Sequence, residues 1–285
     1  MSDVARSLLR EWLFRTLDDK AGTWLGDQIT TLAAKPSDEA LYVGFGQVPR
    51  RLGKGALGLS PDDLDAAKRA LDGWCPGNWT LADAGRILLL SELPAASPGF
   101  AGRFRSLCQT ADVNELVSLY RGLALYPEPA ALEPQVGEGL RTNVRTVFES
   151  IAHDNPYPRR FFDLHRWNHM VLKALFINSR LAPIQGLDER ANEELARIMT
   201  DFAHERWAAG RQAPFEIWRG VGPFARAAML QDLARVLASD DPLEQKAAAL
   251  ALSASPDPEA ARLLRRMPAL LGEIQGGRLT WAALH

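Results

Sequence analysis

Four of the five histidines fall between residues 153 and 204: His153, His165, His169 and His204. His165 and His169 stand four apart in NPYPRRFFDLHRWNHMVLKALF (155–176). On a helix that spacing puts two imidazoles on one face, as two ligands of one metal ion require. DFAHERWAAGR (201–211) adds Asp201, His204 and Glu205. A di-iron carboxylate bundle needs paired Glu-x-x-His motifs on facing helices. Only a single Asp-x-x-His is present, fewer than half of such a ligand set, so no metal is expected. GQVPRRLGKGALG misses the phosphate-loop pattern, because Val48 stands at the first glycine position and Gly55 where Ser or Thr belongs. It reads as a flexible turn between helices. GxSxG, HExxH and a strand-borne GxGxxG are all missing from the sequence, and no cofactor is expected.

Helical phase sorts the remaining polar residues. At 100° per residue, Leu164, Trp167, Val171 and Leu175 share one side of their helix and Asn168 falls inside that arc. His165, His169 and Lys173 line the other side, with Phe162 and Phe176 among them. In NEELARIMTDFAHERW (192–207), Leu195, Ile198, Met199 and Phe202, continued by Ala209, make the apolar arc. Arg206 falls in its centre, Glu205 flanks it near Asp201, and His204 points away. A guanidinium in such a place must be paired, so Arg206 is either an internal strut or an anion receptor. Lys173, Arg206, Arg211 and Arg219 lie close in sequence to Trp207 and Trp218. Basic groups beside aromatics line pockets for anionic, partly apolar ligands. The expectation is that helices 158–177 and 190–209 pack as antiparallel neighbours around a polar cavity. Asn168, Lys173, His204, Glu205, Arg206, Arg211, Trp218 and Arg219 would line it, with Tyr157 at the entrance.

Those side chains need helices to hold them, and helical punctuation recurs along the chain. SPDDLDAAKRAL has Ser60 as cap and Pro61 at the first helical position. TLADAGRILLL pairs Thr80 with Asp83, and DVNELVSLYRGL pairs Asp112 with Glu115, each in capping-box spacing. No period-two run of β-branched residues marks a strand. YPEPAALEP (126–134) carries three prolines and interrupts any helix. The 285 residues read as one helical domain, or as two closely packed halves, 1–126 and 135–285, joined there. DDPLEQKAAALALSASPDPEAARLLRRM resembles a HEAT-type hairpin, with Ala247, Ala248, Ala251 and Leu252 between two Pro-initiated helices. The fold class is therefore all-α: an irregular α-solenoid of packed hairpins with a HEAT-like C-terminal unit. A net charge of −2 with mixed signs leaves no electrostatic footprint for nucleic acid. The N-terminal stretch MSDVARSLLREWLFR is too charged for a signal peptide, and no apolar run is long enough to span a membrane. Cys75 and Cys108 form no CxxC pair and read as reduced thiols of a cytoplasmic protein.

PSDEALYVGFGQVPRRLGK, NPYPRRFFD, WNHMVLKALF, AHERWAAGR and WRGVGPF together resemble the EboA family, over Pro36 to Phe224. That resemblance implies a bacterial protein encoded beside a sugar-phosphate cyclase, a UbiA-type prenyltransferase and TIM-barrel or TatD-like hydrolases. Such company implies a part in making or moving a secondary metabolite. It carries over no catalytic residue. The function expected is a non-catalytic accessory protein that binds a small anionic metabolite or a pathway enzyme. The competing readings are an enzyme, with Glu205 or His204 as acid–base group and Arg206 as anion anchor, and a metal protein using His165, His169 and Asp201 or Glu205.

Overall fold

A computed structural model of the protein describes residues 2–34, 37–93 and 99–284. Of the described residues, 70% are helical. Among the described residues there is no strand, only an isolated antiparallel bridge between Ala56 and Thr80. The fold is all-α. The chain divides into two compact units, Met1–Arg166 and Trp167–His285.

The first unit holds α1 (Ser2–Thr16), α2 (Asp19–Ala34), α3 (Asp38–Leu52), α4 (Pro61–Ala70), α5 (Leu81–Ser91), α6 (Phe100–Thr110), α7 (Val113–Arg121), α8 (Glu133–Leu140), α9 (Arg145–Ala152) and α10 (Tyr157–Phe161). Its axis is α5, in which every residue from Ala82 to Ser91 is buried. A helix apolar nearly all round belongs inside a bundle, and α1, α2, α3 and α7 pack around it. The two expected capping boxes, Thr80 with Asp83 and Asp112 with Glu115, are formed, and the expected Ser60 cap is completed into a third by Asp63.

Two charged residues lie within that axis; sequence reasoning gave Asp83 a capping part only and Arg86 none. Asp83 accepts from Thr80, from the Ser118 hydroxyl at 2.7 Å and from Arg121 at 2.6 Å. Arg86, 4% exposed, donates to Glu115 at 3.2 Å and from its Nε to the Phe45 carbonyl at 3.3 Å. Pro49 lies inside α3 and has no N–H to offer the carbonyl four residues before it. That carbonyl belongs to Phe45, so Arg86 fills a vacancy that Pro49 creates. The basic stretch before Gly53 is accordingly the last turns of α3, not a flexible turn; the loop begins only at Gly53. Segment 126–134 lies inside this unit, where Leu132 is buried in a 3-10 turn.

The division between the units falls inside α11 (Leu164–Phe176). The second unit continues with α12 (Glu193–Ala208), α13 (Ile217–Val221), α14 (Ala228–Leu237), α15 (Pro242–Ala254), α16 (Pro258–Leu264) and α17 (Pro268–Gln275). Its axis is α15, buried from Ala247 through Leu252 and packed against α13, α14, α16 and α17. Small residues allow this crowding. A Cβ on Gly222 would sit 2.7 Å from the backbone oxygen of Ala251, so the turn after α13 lies directly on α15.

Candidate functional site

Asn168, 3% exposed, is satisfied by another amide. Its Nδ2 donates to Asn192 Oδ1 at 3.2 Å, and Asn192 Nδ2 donates back to Asn168 Oδ1 at 2.9 Å. Asn192 Oδ1 also accepts from the Leu195 amide at 2.9 Å and so caps α12. Further along, Phe176 meets Phe202 edge to face at 4.9 Å. Asn168 precedes Phe176 on α11 as Asn192 precedes Phe202, so the two helices run in the same sense, not antiparallel. The connection, 177–192, is long enough to return along the 13-residue α11, a helix of about 20 Å. Glu216 holds that connection in place: its buried carboxylate accepts from the Leu181 and Ala182 amides at 3.0 and 2.8 Å.

Arg206 is not buried in an apolar arc. It is half-exposed, and its Nε donates to the Gln212 carbonyl at 3.1 Å. Helical phase misplaces it because Arg206 lies in the last turn of α12, where the chain is already turning away. Gly210, at φ +68°, ends the helix in a Schellman cap, with Arg211 N on Arg206 O and Gly210 N on Trp207 O. Arg206 reaches across this cap to the stretch of backbone beyond it.

The C-terminal half of α12 faces α14 in register. His204 Nε2 lies 2.9 Å from Asp232 Oδ2, and three residues further on each helix the Arg235 guanidinium sits 4.2 Å from the centre of the Trp207 ring. Trp207 also stacks on the buried Trp218 at 5.8 Å and lies 5.6 Å from His204. Neither Asp232 nor Arg235 was singled out from the sequence. The i,i+3 spacing in QDLAR matches that in HERW, but nothing in a single sequence pairs two such segments.

The other expected residues are spread more widely. Arg219 pairs through its Nε and one Nη with the two carboxylate oxygens of Asp188, each at 2.7 Å. Lys173 is half-buried, and loss of solvent lowers its ammonium below the ordinary lysine value. Glu205 and Arg211 are both exposed. Tyr157 belongs to the first unit, wholly buried, with its hydroxyl donating to the Pro129 carbonyl at 2.8 Å. His165 and His169 are exposed, and Asp201 pairs with Arg197 at 2.8 Å. Among the described residues no three His, Cys, Asp or Glu side chains converge as metal ligands. On the neighbouring side of α14 a groove of about 390 Å³ is lined by Leu230, Ala234 and Leu263 together with Asp257 and Glu259.

A model of the family described as metabolite traffic protein EboA matches residues 5–222. The chain belongs to the EboA family. Among curated proteins and among solved structures, none matches it.

Much of the EboA signature does structural work. In NPYP, Asn155 Nδ2 donates to the Tyr120 and Ser150 carbonyls at 2.9 and 3.0 Å, and its Oδ1 accepts from Tyr157 N. In NPYPRRFFD, Arg159 and Arg160 both engage Asp72. Asp163 accepts from Arg166 N at 2.7 Å at the start of α11. In WRGVGPF, Gly220 and Gly222 leave room for Met199 and Ala251. The EboA match ends at residue 222, while the packing of the second unit continues through α15. No described helix is long and apolar enough to cross a membrane.

Proposed function

We propose that this chain is a non-catalytic accessory protein of metabolite traffic that binds a small anionic metabolite in the bacterial cytoplasm, within a secondary-metabolite biosynthesis or export pathway. The observation that carries this reading is the family match over residues 5–222, with its description as metabolite traffic. The placement of cations supports it. Among the described residues no carboxylate pairs with Arg206, Arg211 or Arg235, and these arginines lie on or beside the end of α12 that carries Trp207. Unpaired guanidinium groups next to a stacked indole suit an anionic ligand with an apolar body. His204, Trp218, Arg206 and Arg211 are the residues of the expected set that this proposal retains around the ligand. Asn168 and Arg219 act as positioning residues through Asn192 and Asp188.

Mass spectrometry of material released from the full chain, purified from its native host, tests the reading. A retained organic anion is the expected result; a chain free of any small molecule under non-denaturing purification would contradict it. One observation favours an enzymatic alternative. His204 Nε2 on Asp232 is the arrangement of a base held by an orienting carboxylate. Conversion of the retained anion by the wild type and not by His204→Gln would favour that alternative.

A further inference from the structure

Arg235 is placed unlike an ordinary surface arginine. Its guanidinium is held over Trp207 at 4.2 Å, with no carboxylate partner among the described residues. Stacking on an indole occupies one face of the guanidinium and leaves its edge, where the N–H donors lie, in the plane pointing outward. The ring beneath it is fixed from the other residues it touches: Trp218, 1% exposed, stacks on it at 5.8 Å, and His204 lies 5.6 Å away. Contact with Trp207 restrains the otherwise exposed Arg235 side chain, which lowers the ordering cost of using its fork.

The acceptors around it are engaged elsewhere or turned away. Asp232, which precedes Arg235 by one turn on α14, is already engaged by His204 Nε2 at 2.9 Å. Glu205 lies about 200° from Trp207 around α12, on its far side. The carbonyls that end α12 are taken up by the Schellman bonds, and the Gln212 carbonyl beyond them by Arg206 Nε. The groove on the neighbouring side of α14 does not compete, because its polar lining includes two carboxylates: Asp257, which caps α16 through the Glu259 amide, and Glu259, which pairs with Arg262.

The geometry points to Arg235, stacked on Trp207 and flanked by His204, as the anchor for the oxyanion, carboxylate or phosphate, of a small organic ligand. This rests on the metabolite-binding reading and names the group that such a ligand must carry. Arg235 lies beyond the part of the chain matched by the family model, so the anchor comes from outside the family's shared segment.

The full chain is titrated at constant ionic strength with sodium phosphate and, separately, with sodium benzoate, followed by tryptophan fluorescence and by calorimetry. Saturation by at least one probe is expected. Arg235→Gln weakens it about tenfold or more, Arg235→Lys weakens it less, and Arg266→Gln leaves it unchanged. Saturation by phosphate alone assigns a phosphate ester, and by benzoate alone a carboxylate. Equal affinities in the wild type and Arg235→Gln, or no saturation by either probe, overturn the anchor. The two readings fail separately. A native ligand that stays bound in Arg235→Gln removes the anchor and keeps metabolite binding. Arg235-dependent saturation with no native ligand retained keeps the anchor and removes metabolite binding.

Discussion

At the scale of single residues, burial and pairing decide which arginines matter. Arg86 and Arg206 both sit on helices among apolar neighbours, yet Arg86 is 4% exposed while Arg206 is half-exposed. Removing Arg86 leaves Glu115 without its cation and Phe45 with a buried carbonyl that Pro49 cannot serve. Breaking such a buried pair costs roughly 3–5 kcal/mol. Arg206→Ala loses one partly exposed bond to Gln212, on the order of 1 kcal/mol. Arg86→Ala should therefore lower the melting temperature far more than Arg206→Ala, with Arg266→Ala near the wild type; the reverse ranking would refute this assignment. Asp63 gives a prediction in pH. The Arg15 guanidinium, hydrogen-bonded to it, holds its carboxyl down to about 2 from 3.8, with the Ser60 cap adding to the effect. A depressed carboxyl stabilises the fold fully above its unfolded value and loses that contribution as pH falls through its folded one. The stability difference between the wild type and Asp63→Asn should thus be constant above about pH 5 and shrink between about pH 4 and pH 2. Chemical denaturation across that range checks it, and a constant difference down to about pH 2 would count against the pairing.

At the scale of elements, two features carry the packing: helices apolar all round and glycines at close crossings. Gly26 lies in the middle of α2, where an added Cβ would meet no atom within 4 Å, whereas one on Gly222 would meet the Ala251 backbone at 2.7 Å. Gly26→Ala should stabilise by about 0.5–1 kcal/mol through helix propensity. Gly222→Ala should destabilise by about 1–3 kcal/mol through overpacking, since backbone cannot swing aside as a side chain can. Thermal unfolding of both variants separates the two effects, and a neutral Gly222→Ala would show that the turn can lift off α15. The Asn168–Asn192 pair joins α11 to the cap of α12, so its two members are coupled. In a double-mutant cycle with alanine at both positions, an interaction energy of about 0.5–3 kcal/mol is expected. Additive losses would mean that Asn192 acts through the cap alone.

At the scale of the whole molecule, the family match and the packing do not end together. Ile217, Trp218 and Val221 are buried in a unit whose axis, α15, lies beyond residue 222. A chain cut after Gly222 should lose near-ultraviolet circular dichroism from its tryptophans and aggregate, and a native-like spectrum from that fragment would show that α15 is dispensable. The all-α class, two of the three capping boxes and the Ser60 cap of the third, the Pro-initiated helices after Asp241 and Asp257 and the small-residue face of α15 were legible in the sequence. Each is a local matter, settled by the residue at a helix end or by the period of apolar side chains. Helical phase also found Asn168 as a buried amide, because α11 is regular where that residue stands. It misplaced Arg206, because phase describes the direction of a side chain on an ideal helix and says nothing of where the helix stops. The parallel run of α11 and α12, the carboxylate of Glu216 on two loop amides, Arg86 on the carbonyl that Pro49 leaves open, and Arg235 on Trp207 were decided only by tertiary structure. All of them join residues far apart in sequence. Propensity and pattern reach across a few turns of one helix, whereas the partner of a buried polar group is whichever distant donor or acceptor the folded backbone brings within about 3 Å.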